Sequence, residues 1–526
     1  MTLGNSASEI ITGAGRQSAA AYLTQQIAAY RGNPFIEALP PILTENQAIT
    51  ALSHFPSYDP GERDLPSHLR LHALQTINSV FVTLPVHLDL EQRFSRMIRG
   101  GYVNRNPADP TYWKNLTSRL DNLSLSNAVI ANSARPVPSG FTIIGFPGVG
   151  KSTSVEAVLS LYPQVIFHTR YGKSELHLAQ VVWLKLECPF DGSPRGLCIS
   201  FFRTIDQLLG TNYERHFAGG RRIIDELLLN MISVAGIHGL GVLVIDEINR
   251  LSGCKSDNAQ KLLSFFVQLT NTIGIPVVKV GTYKAKTVLS GEFHQIRRGT
   301  GQGDLVWDRL QEEDWIASSS GKNEQPLGVW QLLVESLWDY QYTRVNCALT
   351  KELAHVLYDE TQGITDFAAE VYMLAQIRAI VTAAKPSTEK ITTDIIRSVA
   401  RDSLRQAQPV LSKLRQQQAY DLIDIPDIHP IQIDDFISKA QEDLQKGTVV
   451  KTKSAVPQTN ENTALIKSDP PNRHKSHKSK PSRQKTRQYS NDDLRAAAEK
   501  AKESNSSIVE ALREANHIGG ISEART

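Results

Sequence analysis

The sequence predicts an α/β fold, a parallel sheet with a phosphate-binding loop at its carboxyl edge and a helical segment after it. Three stretches predict it. Residues 141–154, FTIIGFPGVGKSTS, pass from a short apolar strand through glycines into a helix opening at Ser152. Gly145 and Gly150 followed by Lys151 and Ser152 form the P-loop pattern in the context its chemistry needs, since a strand, a glycine turn and a helix N-terminus aim backbone N–H groups at one point. Residues 241–252, GVLVIDEINRLS, are a branched apolar run ending in Asp246 and Glu247. Unpaired carboxylates are costly in a core, so they belong at the strand's carboxyl end, beside the loop. Residues 275–285, IPVVKVGTYKA, give a strand that closes at Gly281 and Thr282 and is expected next to the P-loop strand.

These residue types set the expected chemistry. Gly145, Pro147, Gly148, Val149, Gly150, Lys151, Ser152 and Thr153 would wrap ATP, with Lys151 reaching its β- and γ-phosphates. Ser152 and Asp246 would hold Mg²⁺, Glu247 would polarise the attacking water, and Thr282 would sense the γ-phosphate or that water. An arginine that completes a neighbour's site must be an exposed, permanently charged guanidinium; Arg297 and Arg298, beside a Gly-rich turn, and Arg309 are the candidates.

In chain order, residues 17–30 have helical spacing and good helix formers, stopped by Asn33 and Pro34. Residues 33–66 carry repeated prolines and read as an extended, docked segment. Helical patterns return over 67–99 and 112–122. Residues 1–136 are therefore expected to form a mainly helical N-terminal region that binds a partner or buttresses the core, and residues 137–335 the α/β ATPase core. Apolar residues at three- and four-residue spacing over 350–362, 363–383 and 392–406 predict helices within a 336–440 lid, with Arg378 as a candidate second sensor. Residues 471–487 hold seven Lys or Arg and no acid, which makes 441–490 a disordered basic linker; 491–526 reads as a short helical end.

Composition narrows the classes. A chain of 526 residues exceeds a single core, and 57 basic against 54 acidic residues, a formal charge of +3, gives no general attraction to nucleic acid. Contact with DNA must come from local loops or the tail. The four cysteines lack CxxC pairing, which argues against disulfides and structural zinc and for a reducing cytoplasm. Neither a signal-like start nor a run of spanning length is present, so a soluble, unexported protein is expected.

The order of P-loop, acidic strand end, Thr-ended strand, arginines and helices is similar to the AAA+ ATPases. Finer text resembles one branch, the TnsC and TniB regulators of Tn-seven-like transposons: NPFIEALPP at 33–41, Arg99 with GGYVNRNP at 100–107, GFPGVGKST at 145–153, CPFDGSPRGLC at 188–198, LGTNY at 209–213, VIDEINRL at 244–251, VGTYKA at 280–285 and GITD at 363–366. The resemblance covers about residues 20–405. It implies an AAA+ fold with a helical lid, ATP and Mg²⁺ as ligands, ATP hydrolysis, and assembly as a ring or helical filament on double-stranded DNA. It also implies two protein partners, a TnsD- or TniQ-like target selector and a TnsA- or TnsB-like transposase, in the nucleoid of a bacterial cytoplasm. By the same resemblance Arg195 and Thr211 match positions set against the DNA backbone, with Arg170 and Lys173 in reserve, and the C-terminal end is a hook for the transposase; the basic linker could bind DNA instead. The alternative is a STAND-like signalling or defence NTPase that uses the same core without DNA. No nuclease constellation is present, so the chain is not expected to cut DNA itself.

Overall fold

Apolar segments near the middle of the chain become strands that lie almost wholly inside the protein. The computed structural model describes residues 16–114, 116, 140–220, 222–254, 256–290, 303–313 and 328–416. Within them the strands are β1 (Gln17–Ala19), β2 (Phe141–Gly145), β3 (Val165–Tyr171), β4 (Ser174–Val181), β5 (Trp183–Glu187), β6 (Val242–Asp246), β7 (Val277–Thr282) and β8 (Leu305–Trp307). Five of them form one sheet in the order β5-β6-β7-β2-β8, with every neighbouring pair parallel. Every residue of β2 and β6 is buried, as expected of parallel strands covered on both faces. Register brings Gly145 opposite both Thr282 and Trp307, and Glu187 opposite Asp246, so the polar strand ends gather at one edge. Gly145 admits no side chain there, because a Cβ would stand 1.8 Å from the Trp307 carbonyl oxygen.

A second sheet, β1-β3-β4, pairs β1 parallel to β3 and β3 antiparallel to β4. It corrects the helix expected over 17–30. Gln17–Ala19 joins the β3 edge, and the one helical turn in that stretch is a 3-10 turn at Ala28–Tyr30. Pairing with a distant strand overrides local helix propensity. The β3–β4 hairpin itself, turning at Gly172 with φ 59°, is absent from the sequence reading. Residues 33–66 are likewise not extended throughout: they hold helices Pro34–Glu37 and Glu45–Leu52 and a 3-10 turn at Pro60–Asp64, each opening on a side-chain cap from Asn33, Thr44 or Asp59. The prolines at 34 and 60 start helices, where a missing N–H costs nothing.

Helices Ser67–Ala73 and Pro85–Val103 follow, and the second buries Phe94, Met97 and Ile98 against the sheet side of the core. Beyond the sheet, Val329–Trp338, Lys351–Thr361, Thr365–Thr382, Thr393–Ser403 and Gln408–Arg415 form a helical group. Thr350 and Thr392 cap two of these helices through the Leu353 and Ile395 N–H groups. The N-terminal segment grips this group: Arg70 pairs with Glu389 with both side chains buried, and the Tyr340 hydroxyl donates to the Pro56 carbonyl at 3.0 Å. No helix among the described residues is long and apolar enough to cross a membrane. The basic linker at 441–490 and the helical end at 491–526 lie outside the described residues.

Candidate nucleotide site

Between β2 and the helix Lys151–Ser160 the chain turns through Gly148 (φ 75°) and Gly150 (φ 81°), left-handed positions that favour glycine. Pro147 and Val149 complete the turn, and Ser152 and Thr153 fall in the first helical turn, whose N–H groups have no acceptor within the helix. Lys151 is buried and donates to the Phe146 carbonyl at 2.5 Å and the Gly145 carbonyl at 3.3 Å, which holds its ammonium over the loop. The residues fit a polyphosphate, since donors and one cation converge without a competing carboxylate from the loop itself.

Asp246 ends β6 and is buried. Its Oδ1 accepts the Glu247 N–H at 2.8 Å and its Oδ2 lies 2.9 Å from Lys185 Nζ, which also reaches Glu156 on the P-loop helix at 2.5 Å. Lys185 escaped the sequence reading; the signal was a lysine inside the strand WLKLE, where a cation needs an anion. Glu247 takes left-handed backbone (φ 56°, ψ 36°), a conformation that costs a non-glycine residue about 1 kcal/mol, and turns the chain into the 3-10 segment Ile248–Gly253. Thr282 closes β7, buried, and its hydroxyl oxygen has no hydrogen-bond partner among the described residues.

The helix Thr365–Thr382 starts against the P-loop. The Asp366 N–H and the Thr365 hydroxyl both donate to the Gly148 carbonyl, at 3.0 and 3.2 Å. Asp366 stays exposed at the cavity wall, yet desolvation by the loop and helix around it pushes its carboxyl up to about 6, opposed by the nearby Lys151 cation. Its side chain is open to a cavity of about 490 Å³ lined by Gly148, Val149 and Gly150 of the loop, by Asp366 and Met373, and by residues from Ile77 to His87. That volume suits a nucleotide. His87 is held well below the ordinary imidazole range, at about 4, by burial, and its Nδ1 accepts the Leu84 N–H, so it presents a neutral ring.

The other candidates fall elsewhere. Arg378, the candidate second sensor, pairs with Asp402 at 2.9 Å on helix Thr393–Ser403. Arg309 donates to the Tyr358 hydroxyl and the Gln362 carbonyl at 3.1 and 3.0 Å. Arg297 and Arg298 lie outside the described residues. Arg195 sits in the first turn of helix Pro194–Leu209 and donates to the Arg222 and Gly220 carbonyls at 3.0 and 3.1 Å. Thr211 follows the end of that helix and donates to Asp206 at 2.6 Å. Arg170 and Lys173 are exposed at the tip of the β3–β4 hairpin.

Residues 138–289 match a family model described as an AAA domain. The core has an AAA fold. The match spans β2 to β7 of this AAA core, ahead of β8 and the helical group. Curated proteins give no match. Among solved structures the chain is similar to the Aeropyrum pernix ORC1 protein in complex with DNA (13% identity, 65% of this chain and 82% of that one, TM-score 0.31). It is also similar to Pyrobaculum aerophilum Cdc6p (13% identity, 66% and 90%, TM-score 0.32) and to a Walker-type ATPase of Pyrococcus abyssi (12% identity, 63% and 88%, TM-score 0.31). At such TM-scores nothing rests on these likenesses; the fold rests on the family match and the geometry.

Proposed function

We propose that this chain is an ATP-hydrolysing AAA+ regulator of DNA transposition that oligomerises on double-stranded DNA and joins a target-selecting protein to a transposase. The observation that carries the nucleotide half is the convergence of Lys151, Asp246, Glu247 and Thr282 on one edge of the sheet, beside a cavity roofed by the lid helix. In this reading the P-loop N–H groups and Lys151 hold the phosphates, Ser152 and Asp246 hold Mg²⁺, Glu247 takes a proton from the attacking water, and Arg297 or Arg298 completes a neighbour's site. The DNA half is supported by the family resemblance and by exposed cations at Arg170, Lys173 and Arg215.

One observation favours the reading without DNA. Thr211 donates its one hydroxyl proton to Asp206, and Arg195 donates two of its five N–H groups to the Gly220 and Arg222 carbonyls, so both brace the chain itself. Nucleotide binding and negative-stain microscopy with ATP and duplex DNA separate the two. Lys151→Ala should lose ATP binding and any DNA-bound oligomer. Glu247→Gln should keep ATP binding, hydrolyse about 10²-fold more slowly, and give longer-lived DNA complexes. ATP turnover without any oligomer on DNA would reject the transposition reading in favour of a signalling NTPase.

A further inference from the structure

Two residues past Glu247 the chain places an amide where neither phosphate nor metal is expected. Asn249 is 6% exposed. Its Nδ2 donates to Glu247 Oε2 at 3.1 Å and its Oδ1 accepts the Thr282 N–H at 3.2 Å. A backbone N–H can only donate, so Thr282 fixes which end of the amide is the acceptor and leaves the other as a donor for the carboxylate. The contact exists because Glu247 is left-handed, which folds Asn249 back beneath it, and because position 281 is glycine: a Cβ there would come within 2.7 Å of Ile248 Cγ2 and 3.1 Å of Asn249 Oδ1.

We propose that Asn249 is a positioning residue for ATP hydrolysis, holding the Glu247 carboxylate in register with the end of β7 so that base and γ-phosphate sensor move as one unit. This rests on the ATPase reading above. One oxygen of Glu247 is held by the amide while the remaining lone pairs stay available to a water, so the tie orients the base without consuming it. Around it, Asp246 is held by Lys185 from β5, Arg250 is paired with Glu187, and the Cys188 thiol, which burial pushes up to about 12, feels the Glu247 charge.

The test uses the full chain. Wild-type turnover and its loss in Glu247→Gln come first, and their failure counts against the ATPase reading alone. Asn249→Ala should then lower kcat about tenfold or more with ATP affinity unchanged. Asn249→Asp keeps an acceptor for Thr282 but, ionised, has no donor for Glu247. Two carboxylates at hydrogen-bond distance share a proton, so the acid limb of its kcat profile should move up by about one pH unit or more. Asn249→Ser, which retains a donor, should recover part of the Asn249→Ala loss. An unmoved pH profile in Asn249→Asp, or full kcat in Asn249→Ala, overturns the proposal. Should Asn249→Ala fail to fold, the profile of Asn249→Asp and the kcat of Asn249→Ser decide it.

Discussion

Asp366 meets the P-loop from the lid and brings a carboxyl to a site whose other groups suit anions. Desolvation raises it to about 6 against an ordinary value of 3.8, so between those pH values the folded chain binds more protons than the unfolded one. Stability from this group therefore falls as pH rises from about 4 through 6, and above that the ionised carboxyl is a constant penalty. Because solvent reaches the side chain and screens it, Asp366→Asn should stabilise the protein only slightly above pH 6 and not below pH 4, as thermal unfolding across pH would record. An ionised Asp366 also opposes phosphate charge. The same variant should bind ATP about tenfold more tightly at pH 7.5 and no more tightly at pH 5 in calorimetry. Equal affinities at both pH values would place the carboxyl away from the phosphates.

At the scale of elements, the contacts that matter join segments distant in the chain. The N-terminal segment lines the nucleotide cavity through Ile77 to His87 and holds the helical group through Arg70 and Glu389. Arg70 also donates to the Tyr342 carbonyl at 2.7 Å, and Glu389 accepts the Arg344 N–H at 2.9 Å. The pair is thus satisfied on both sides. Arg70→Ala leaves a buried carboxylate without its cation and should cost about 3–5 kcal/mol in denaturant unfolding, while Arg70→Met together with Glu389→Met should recover most of that loss. If the single change costs under about 1 kcal/mol, solvent reaches the pair and the segment is loosely held.

At the scale of the whole molecule, the proposed duplex contact falls to local cations. The net charge of +3 does not supply it, because affinity for a duplex follows local phosphate contacts. If Arg195 touches phosphate, Arg195→Ala should weaken binding to all duplex sequences alike and lower the salt slope by about one unit. If it only braces residues 220–222, the slope stays and the loss appears as lower thermal stability. Arg170→Ala with Lys173→Ala makes the matching measurement at the hairpin tip. Loss of slope there alone would shift the duplex to the β1-β3-β4 sheet.

By itself the sequence determined the P-loop, the acidic end of β6, the Thr end of β7 and the helices that follow the sheet. Each is a local pattern, in which strand, turn or cap chemistry acts over a few residues. It misread residues 17–30 and 33–66, where pairing with β3 and capped short helices outweighed helix formers and prolines. It gave no hint of β8, three residues whose strand state depends on lying beside β2. Only the tertiary structure decided that Asp366 reaches the P-loop, that Lys185 holds Asp246, that Asn249 ties Glu247 to Thr282, and that Arg378 pairs with Asp402. The Thr365 hydroxyl meets Gly148 across 217 residues of chain, and Asn249 meets Thr282 across 33. Such partners share no local spacing rule; they are set by the order in which parallel strands pack and by which side chains that packing leaves facing one cavity.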